Sequence, residues 1–239
     1  MGNGMIKVIT GIRRCGKSYL LFKIFYNYLL ENGVDQSHII ALQLDDRQNI
    51  KYQDPDYLCE YVRQRIIDNE PYYILLDEVQ FVHDFESVLN SFLHIGNADV
   101  YVTGSNAKFL SSDIITEFRG RGDQIYLSPL SFKEYFDYCK IDFDDAWNEY
   151  SMYGGMPYLL TCKTDEQKVS YLENLFKETY LKDIVERNNI RNTEVLEDIL
   201  NIVSSSIGSL TNPTKLSNAF KSIKNIVVAP NTIRQYLDY

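Results

Sequence analysis

The chain has 239 residues, 45% of them hydrophobic and 24% charged, with 24 basic against 33 acidic side chains for a net charge of −9. That length supports one large domain, or a domain with a small appendage, around a proper core. No apolar run approaches the roughly 18 residues of a membrane helix, no secretory signal opens the chain, and so acidic a chain repels a phosphodiester backbone except where bases cluster locally. Near-continuous apolar runs bounded by turn residues predict buried strands at 5–10, 39–44, 72–76, 100–104 and 125–128. Stretches with apolar residues at helical spacing, 17–31, 55–69, 84–95 and 106–117, fall between them. Strands alternating with helices predict a parallel sheet covered on both faces, an α/β fold. After Pro129 the strand signal stops, and the pattern reads helical through the long periodic run 166–187.

The first strand and the first helix are joined by Gly11-Ile12-Arg13-Arg14-Cys15-Gly16-Lys17-Ser18, which fits the phosphate-loop pattern GxxxxGK(S/T) in full. Glycines let the backbone wrap an anion closely, and successive amides at a helix N-terminus present partial positive charge to phosphates. Gly11, Arg14, Cys15, Gly16, Lys17, Ser18 and Tyr19 form the candidate phosphate-binding set. Within it Lys17 reaches the β- and γ-phosphates and Ser18 offers a hydroxyl to Mg²⁺. At least one of Arg13 and Arg14 is expected to serve a structural ion pair. The positive field beside Cys15 predicts a lowered thiol pKa.

The third strand ends in Asp77-Glu78. Next to a phosphate loop, this pair predicts that Asp77 holds Mg²⁺ and that Glu78 activates the attacking water. The strand at 100–104 runs into Thr103-Gly104-Ser105-Asn106, which puts Ser105 or Asn106 where a polar side chain senses the γ-phosphate or else N-caps the next helix. The chemistry implied is a Mg²⁺-dependent nucleoside-triphosphate site. The guanine-specifying Asn-Lys-x-Asp motif is absent.

In order and spacing, GIRRCGKS, LLDEVQ, VTGSNAKFLSS, RGRGDQIYLSPLSFKEY, GGMP and YLKDIVERNNIRN resemble the bacterial and archaeal AAA-type P-loop ATPases that carry a C-terminal domain of unknown function, relatives of the archaeal-type signalling ATPases. The resemblance implies a P-loop ATPase core (1–129) with strand order 5-1-4-3-2, a helical lid (130–190) and a partial winged-helix-like segment (191–239), with ATP or ADP as the ligand. It implies that Arg121 stabilises transition-state charge, in cis or on a neighbouring copy of a homo-oligomer, and that Pro157 of the Gly-x-Pro element lines the adenine pocket. Only Met1 to Gly4 precede the first strand and the chain stops at Tyr239, so a chain shortened at both ends is the expectation. The setting expected is cytoplasmic.

Elsewhere the signals are thinner. Cys15, Cys59, Cys139 and Cys162 form no CxxC pair, and His38, His83 and His94 lack metal-ligand spacing. Between residues 209 and 237 there are four bases, Lys215, Lys221, Lys224 and Arg234, and no acid. Asn212-Pro213 and Ala229-Pro230 each look like a helix opening. Two short helices after a longer one suggest a helix-turn-helix core that offers Asn231, Thr232, Arg234 and Gln235 to DNA. The bland alternative is a packing module with a solvated polar face. The functional expectation is ATP hydrolysis that drives or gates a conformational change, with an ATP-switched DNA-binding regulator as the alternative.

Overall fold

The computed structural model describes residues 3–104, 120–181, 184–185, 188–190, 192–205, 207–223 and 227–237. Five parallel strands form its sheet: β1 (Ile6–Thr10), β2 (Ile39–Gln43), β3 (Tyr72–Asp77), β4 (Ala98–Thr103) and β5 (Gly122–Tyr126), in spatial order β2-β3-β4-β1-β5. This is the expected 5-1-4-3-2 order, read from the other edge. β1, β3 and β4 lie inside the sheet and are buried on both faces, mostly by apolar side chains, as strands covered twice must be. β5 lies at an edge, with four of its five residues exposed, which is why the apolar signal finds its end and misses its start.

One face packs against α3 (Pro55–Arg65) and α4 (Phe85–Phe92), where Leu58, Val62, Val88, Leu89 and Phe92 meet Val8, Ile74 and Val102. Asp54 caps α3, accepting from the Tyr57 amide at 2.8 Å, and Pro55 occupies the first turn, where its missing N–H costs nothing. The other face is covered by one helical run in three pieces: α1 (Lys17–Tyr19), a π-helical stretch (Leu20–Phe25) and α2 (Tyr26–Glu31). Leu21 and Leu29 from this run meet Ile9, Leu75 and Tyr101. Beneath it, Lys7 and Asp99 form a buried ion pair between β1 and β4, and the Tyr101 hydroxyl donates to Asp99 at 2.9 Å.

The described chain divides into two compact units, 1–162 and 163–239. The first contains the sheet and also the hairpin of α5 (Phe132–Cys139) and α6 (Phe143–Tyr153), opened by a reciprocal Ser131–Glu134 capping box. Phe132 is the hub of this hairpin, with its ring 4.9 Å from Trp147 and 5.4 Å from both Phe143 and Tyr150. The helices expected to open a lid at residue 130 thus share the unit of the sheet. The second unit is helical. α7 (Asp165–Asn174) runs into a π-helical stretch (Leu175–Leu181), and α8 (Thr193–Ser205), α9 (Pro213–Ile223) and α10 (Pro230–Leu237) bury Val195, Ile199, Leu216, Phe220 and Ile233 together. Asn212 caps α9 as its sequence suggests, accepting from the Lys215 amide at 2.8 Å. Among the described residues no strand follows β5, and α8, α9 and α10 share one apolar core.

Candidate functional site

Parallel strands bring all their carboxyl ends to one edge, and the sheet order sets which ends are neighbours. Ile9 of β1 lies beside Thr103 of β4, and Leu76 of β3 beside Val102 of β4. Residues 10–18, Asp77 and Thr103 therefore share the carboxyl edge at the crevice where the strand order turns back.

Gly11 and Gly16 adopt left-handed conformations, φ +148° and +107°. Gly11 is also pinned by space, because a Cβ on it would lie 2.2 Å from the Leu127 carbonyl oxygen. Arg14 takes φ +66° at the exposed crown of the loop. The buried Lys17 ammonium donates to the carbonyls of Gly11 and Ile12 at 2.9 and 3.0 Å, so it is folded into the loop from which a phosphate oxygen would draw it. Tyr19 is exposed one residue into the helix.

Across the edge, Asp77 is buried and accepts a hydrogen bond from Thr103 Oγ1, with the Ser18 hydroxyl near enough to favour its charged form. Burial pushes its carboxyl pKa up; the two hydroxyls oppose this, and the nearby Glu78 and Asp45 charges reinforce it. Thr103, fully buried, also accepts the Glu78 amide at 3.0 Å. Glu78 has a left-handed backbone, φ +52°, a conformation that costs a side-chain-bearing residue about 1–2 kcal/mol and persists only where its surroundings fix it. Its carboxylate accepts from the Gln80 amide. Among the described residues no group of three or more His, Cys, Asp or Glu side chains can hold a metal by itself. The oxygen donors of Ser18 and Asp77, at the same edge of the sheet, fit a Mg²⁺ that takes its remaining ligands from phosphates and water.

Pro157 opens a short 3₁₀ turn, Pro157–Thr161, and its Cγ would lie 3.9 Å from a Cβ on Gly16. It thus flanks the phosphate loop.

One expectation needs correction, and one open alternative is narrowed. The Cys15 thiol is buried, and burial pushes its pKa up; the Lys17 charge pulls it down by less, because desolvation of a thiolate inside the folded loop outweighs the positive field. Arg121 sits at the opposite edge of the sheet. Its carbonyl accepts the Ile6 amide at 2.9 Å, where β1 begins, and the five strand steps from there to Tyr126, the partner of Thr10, span about 16 Å. An arginine side chain does not bridge that length, so Arg121 is not brought to the site of its own chain. Ser105 and Asn106 lie outside the described residues. On α10, Asn231, Arg234 and Gln235 are exposed and Thr232 is half-buried.

The sequence reading missed Thr103, Gln80 and Asp45. A threonine closing an otherwise apolar strand was the available signal for Thr103, since a buried hydroxyl needs partners. Gln80 and Asp45 had none.

Residues 3–136 match a family described as an AAA domain, and residues 144–239 match a domain of unknown function. An uncharacterized protein of Haemophilus influenzae is 32% identical over 239 residues, covering 98% of this chain and 59% of its own length. The uncharacterized protein MJ1544 of Methanocaldococcus jannaschii is 26% identical over 246 residues, covering 98% and 54%. The chain thus spans a little over half the length of these relatives. Among solved structures, AMPPCP-bound DnaA from Aquifex aeolicus is 16% identical over 100% of this chain and 82% of its own, with a TM-score of 0.41. The Aeropyrum pernix ORC1 protein in complex with DNA is 10% identical over 98% and 76%, with a TM-score of 0.42. No described helix is long and apolar enough to cross a membrane. With the phosphate loop, the acidic strand end and the family match covering more than half its length, the chain belongs to the AAA domain family.

Proposed function

We propose that this domain binds ATP with Mg²⁺ and hydrolyses it to drive or gate a conformational change. The observation that carries the reading is the strand register, which brings the phosphate loop after β1 and the Asp77 end of β3 to the same carboxyl edge on either side of Thr103. In this reading the loop amides and Lys17 hold the β- and γ-phosphates, and Pro157 borders the adenine. Ser18 and Asp77 would hold Mg²⁺, which would supply charge neutralisation for the transferring phosphoryl group. Glu78 takes a proton from the attacking water as its oxygen bonds to the γ-phosphorus, and the bond to the β-phosphate oxygen breaks to release ADP and phosphate. Ser105 or Asn106, two and three residues beyond β4 in sequence, are the γ-phosphate sensors of this proposal.

Because Arg121 is at the far edge of the sheet, it serves a nucleotide only on a neighbouring copy, which makes a homo-oligomer part of the proposal. Phosphate release by wild type, Glu78→Gln and Lys17→Ala tests the whole. The expectation is ATP binding without turnover in Glu78→Gln, and loss of both in Lys17→Ala. Saturable Mg²⁺-ATP binding that survives Lys17→Ala refutes the assignment.

A second reading, an ATP-switched DNA-binding regulator with negligible turnover, is favoured by the exposed Asn231, Arg234 and Gln235 on α10, residue types that contact bases and phosphates. A salt-sensitive gel shift lost in Arg234→Ala, with no phosphate release, supports it over the first.

A further inference from the structure

The phosphate loop is bordered by two segments distant in sequence, and these are fastened to each other. The strap that leaves β5, residues 127–130, starts at the loop: the Leu127 amide donates to Thr10 at 2.8 Å, and the Leu127 carbonyl lies against Gly11. It ends at the Gly-x-Pro element, where the Leu130 amide donates to the Gly155 carbonyl at 2.8 Å. From Gly155 the chain runs to Pro157, beside the loop's other glycine, Gly16. Loop, strap and Gly-x-Pro element thus make a closed circuit.

One side chain holds the far corner of that circuit. α6 stops at Gly154, whose φ of +78° turns the chain back under the last helical turn. Tyr150 in that turn donates its hydroxyl to the Leu130 carbonyl at 2.8 Å. Gly155 is held between that carbonyl and the Tyr150 ring: a Cβ there would lie 2.0 Å from Leu130 O and 3.1 Å from Tyr150 Cε2. The ring is fixed in turn by Phe132 and Tyr135, at centroid distances of 5.4 and 5.5 Å.

We infer that Tyr150 is a positioning residue for the base side of the nucleotide site: its bond to the Leu130 carbonyl sets the spacing between the 127–130 strap and Pro157, and so the affinity for the nucleoside part of the ligand. This rests on the nucleotide reading above. Tyr150 bonds to Leu130 and packs on Phe132 and Tyr135, none of them in the phosphate loop, so its influence falls first on the Gly-x-Pro end of the strap and least on the end bonded to the loop at Leu127. Tyr150→Phe keeps the packed ring and removes only the hydroxyl, which separates the bond from the packing.

The test is isothermal titration of the full chain with Mg²⁺-ATP and, separately, with inorganic tripolyphosphate and Mg²⁺. Tyr150→Phe is expected to weaken ATP binding about three- to tenfold, the scale of one hydrogen bond, with tripolyphosphate affinity unchanged. Gly155→Ala, which forces the strap from the Gly-x-Pro element, is expected to show the same selectivity and a larger loss. Equal weakening of both ligands in Tyr150→Phe reduces Tyr150 to a general stabiliser and overturns the inference, as does unchanged ATP affinity. If wild type binds tripolyphosphate and ATP equally well, there is no base site for Tyr150 to position. If wild type binds neither, the nucleotide reading falls first, and this inference falls with it.

Discussion

Replacing Thr103 with valine keeps the shape of a fully buried side chain and removes one oxygen that serves two partners. In the wild type that oxygen donates to the Asp77 carboxylate and accepts the Glu78 amide at 3.0 Å. Loss of a charge-assisted donor costs about 2 kcal/mol, and a part-buried amide without its acceptor costs about 1 kcal/mol. The additional methyl group returns about 1 kcal/mol of transfer free energy. The net is about 2 kcal/mol, which for a unit of this size lowers Tm by roughly 4–8 °C. The deficit also has a pH signature. The Thr103 hydroxyl opposes the upward push of burial on the Asp77 pKa, so valine lets it rise further. A carboxyl held above its ordinary range binds more protons folded than unfolded, and stability falls as pH rises through that interval. The valine deficit is therefore full above the raised folded-state range and shrinks as pH falls through it, where folded Asp77 becomes neutral in both variants. Thermal melts of wild type, Thr103→Val and Thr103→Ser across that range, without nucleotide, measure this, and serine is expected to restore most of the loss. A valine variant melting within about a degree of wild type near pH 7, or a gap independent of pH, refutes the reasoning.

Three further outcomes follow from the same geometry. Asp77→Asn removes the carboxylate that burial disfavours, so without Mg²⁺-nucleotide it should raise Tm near pH 7, with the gain vanishing by about pH 4, and it should abolish Mg²⁺-dependent tightening of ATP binding by calorimetry. Lys7→Met leaves the Asp99 carboxylate buried without its ammonium and should cost about 3–5 kcal/mol by chemical denaturation, although both residues are remote from the phosphate loop in the sheet. Gly11→Ala puts a methyl group 2.2 Å from the Leu127 carbonyl at a φ of +148°, so it should both destabilise the fold by more than 1 kcal/mol and weaken tripolyphosphate binding, read by melts and titration.

The fold was legible because its information is local. Apolar runs mark β1, β2, β3 and β4, the phosphate-loop pattern marks the turn after β1, and Asn212-Pro213 marks a capped helix. Edge placement weakens such signals: β5 begins at Gly122 and continues through exposed Asp123 and Gln124, because an edge strand has less apolar surface to bury. The break of the first helix into a π-helical stretch at Leu20–Phe25 has no mark in its periodicity either.

Site chemistry divides along the same line. Lys17, Ser18 and Asp77 were readable because their roles attach to motifs, whereas Thr103 matters through partners 25 and 26 residues away and Tyr150 through one 20 residues away. Cys15 shows how a correct local premise fails: the positive loop is there, but folding closes the loop over the thiol, and desolvation outweighs the field. Arg121 shows the converse. In sequence it sits between two motif-bearing segments, and only the direction of β5, parallel to β1 with Arg121 at its start, puts it at the edge remote from Lys17. An arginine placed there acts across an interface or not at all. Mixing catalytically silent Glu78→Gln with Arg121→Ala should therefore restore phosphate release above that of either variant alone, since only a mixed assembly presents an intact Arg121 to an intact Glu78; no gain on mixing limits Arg121 to a structural role.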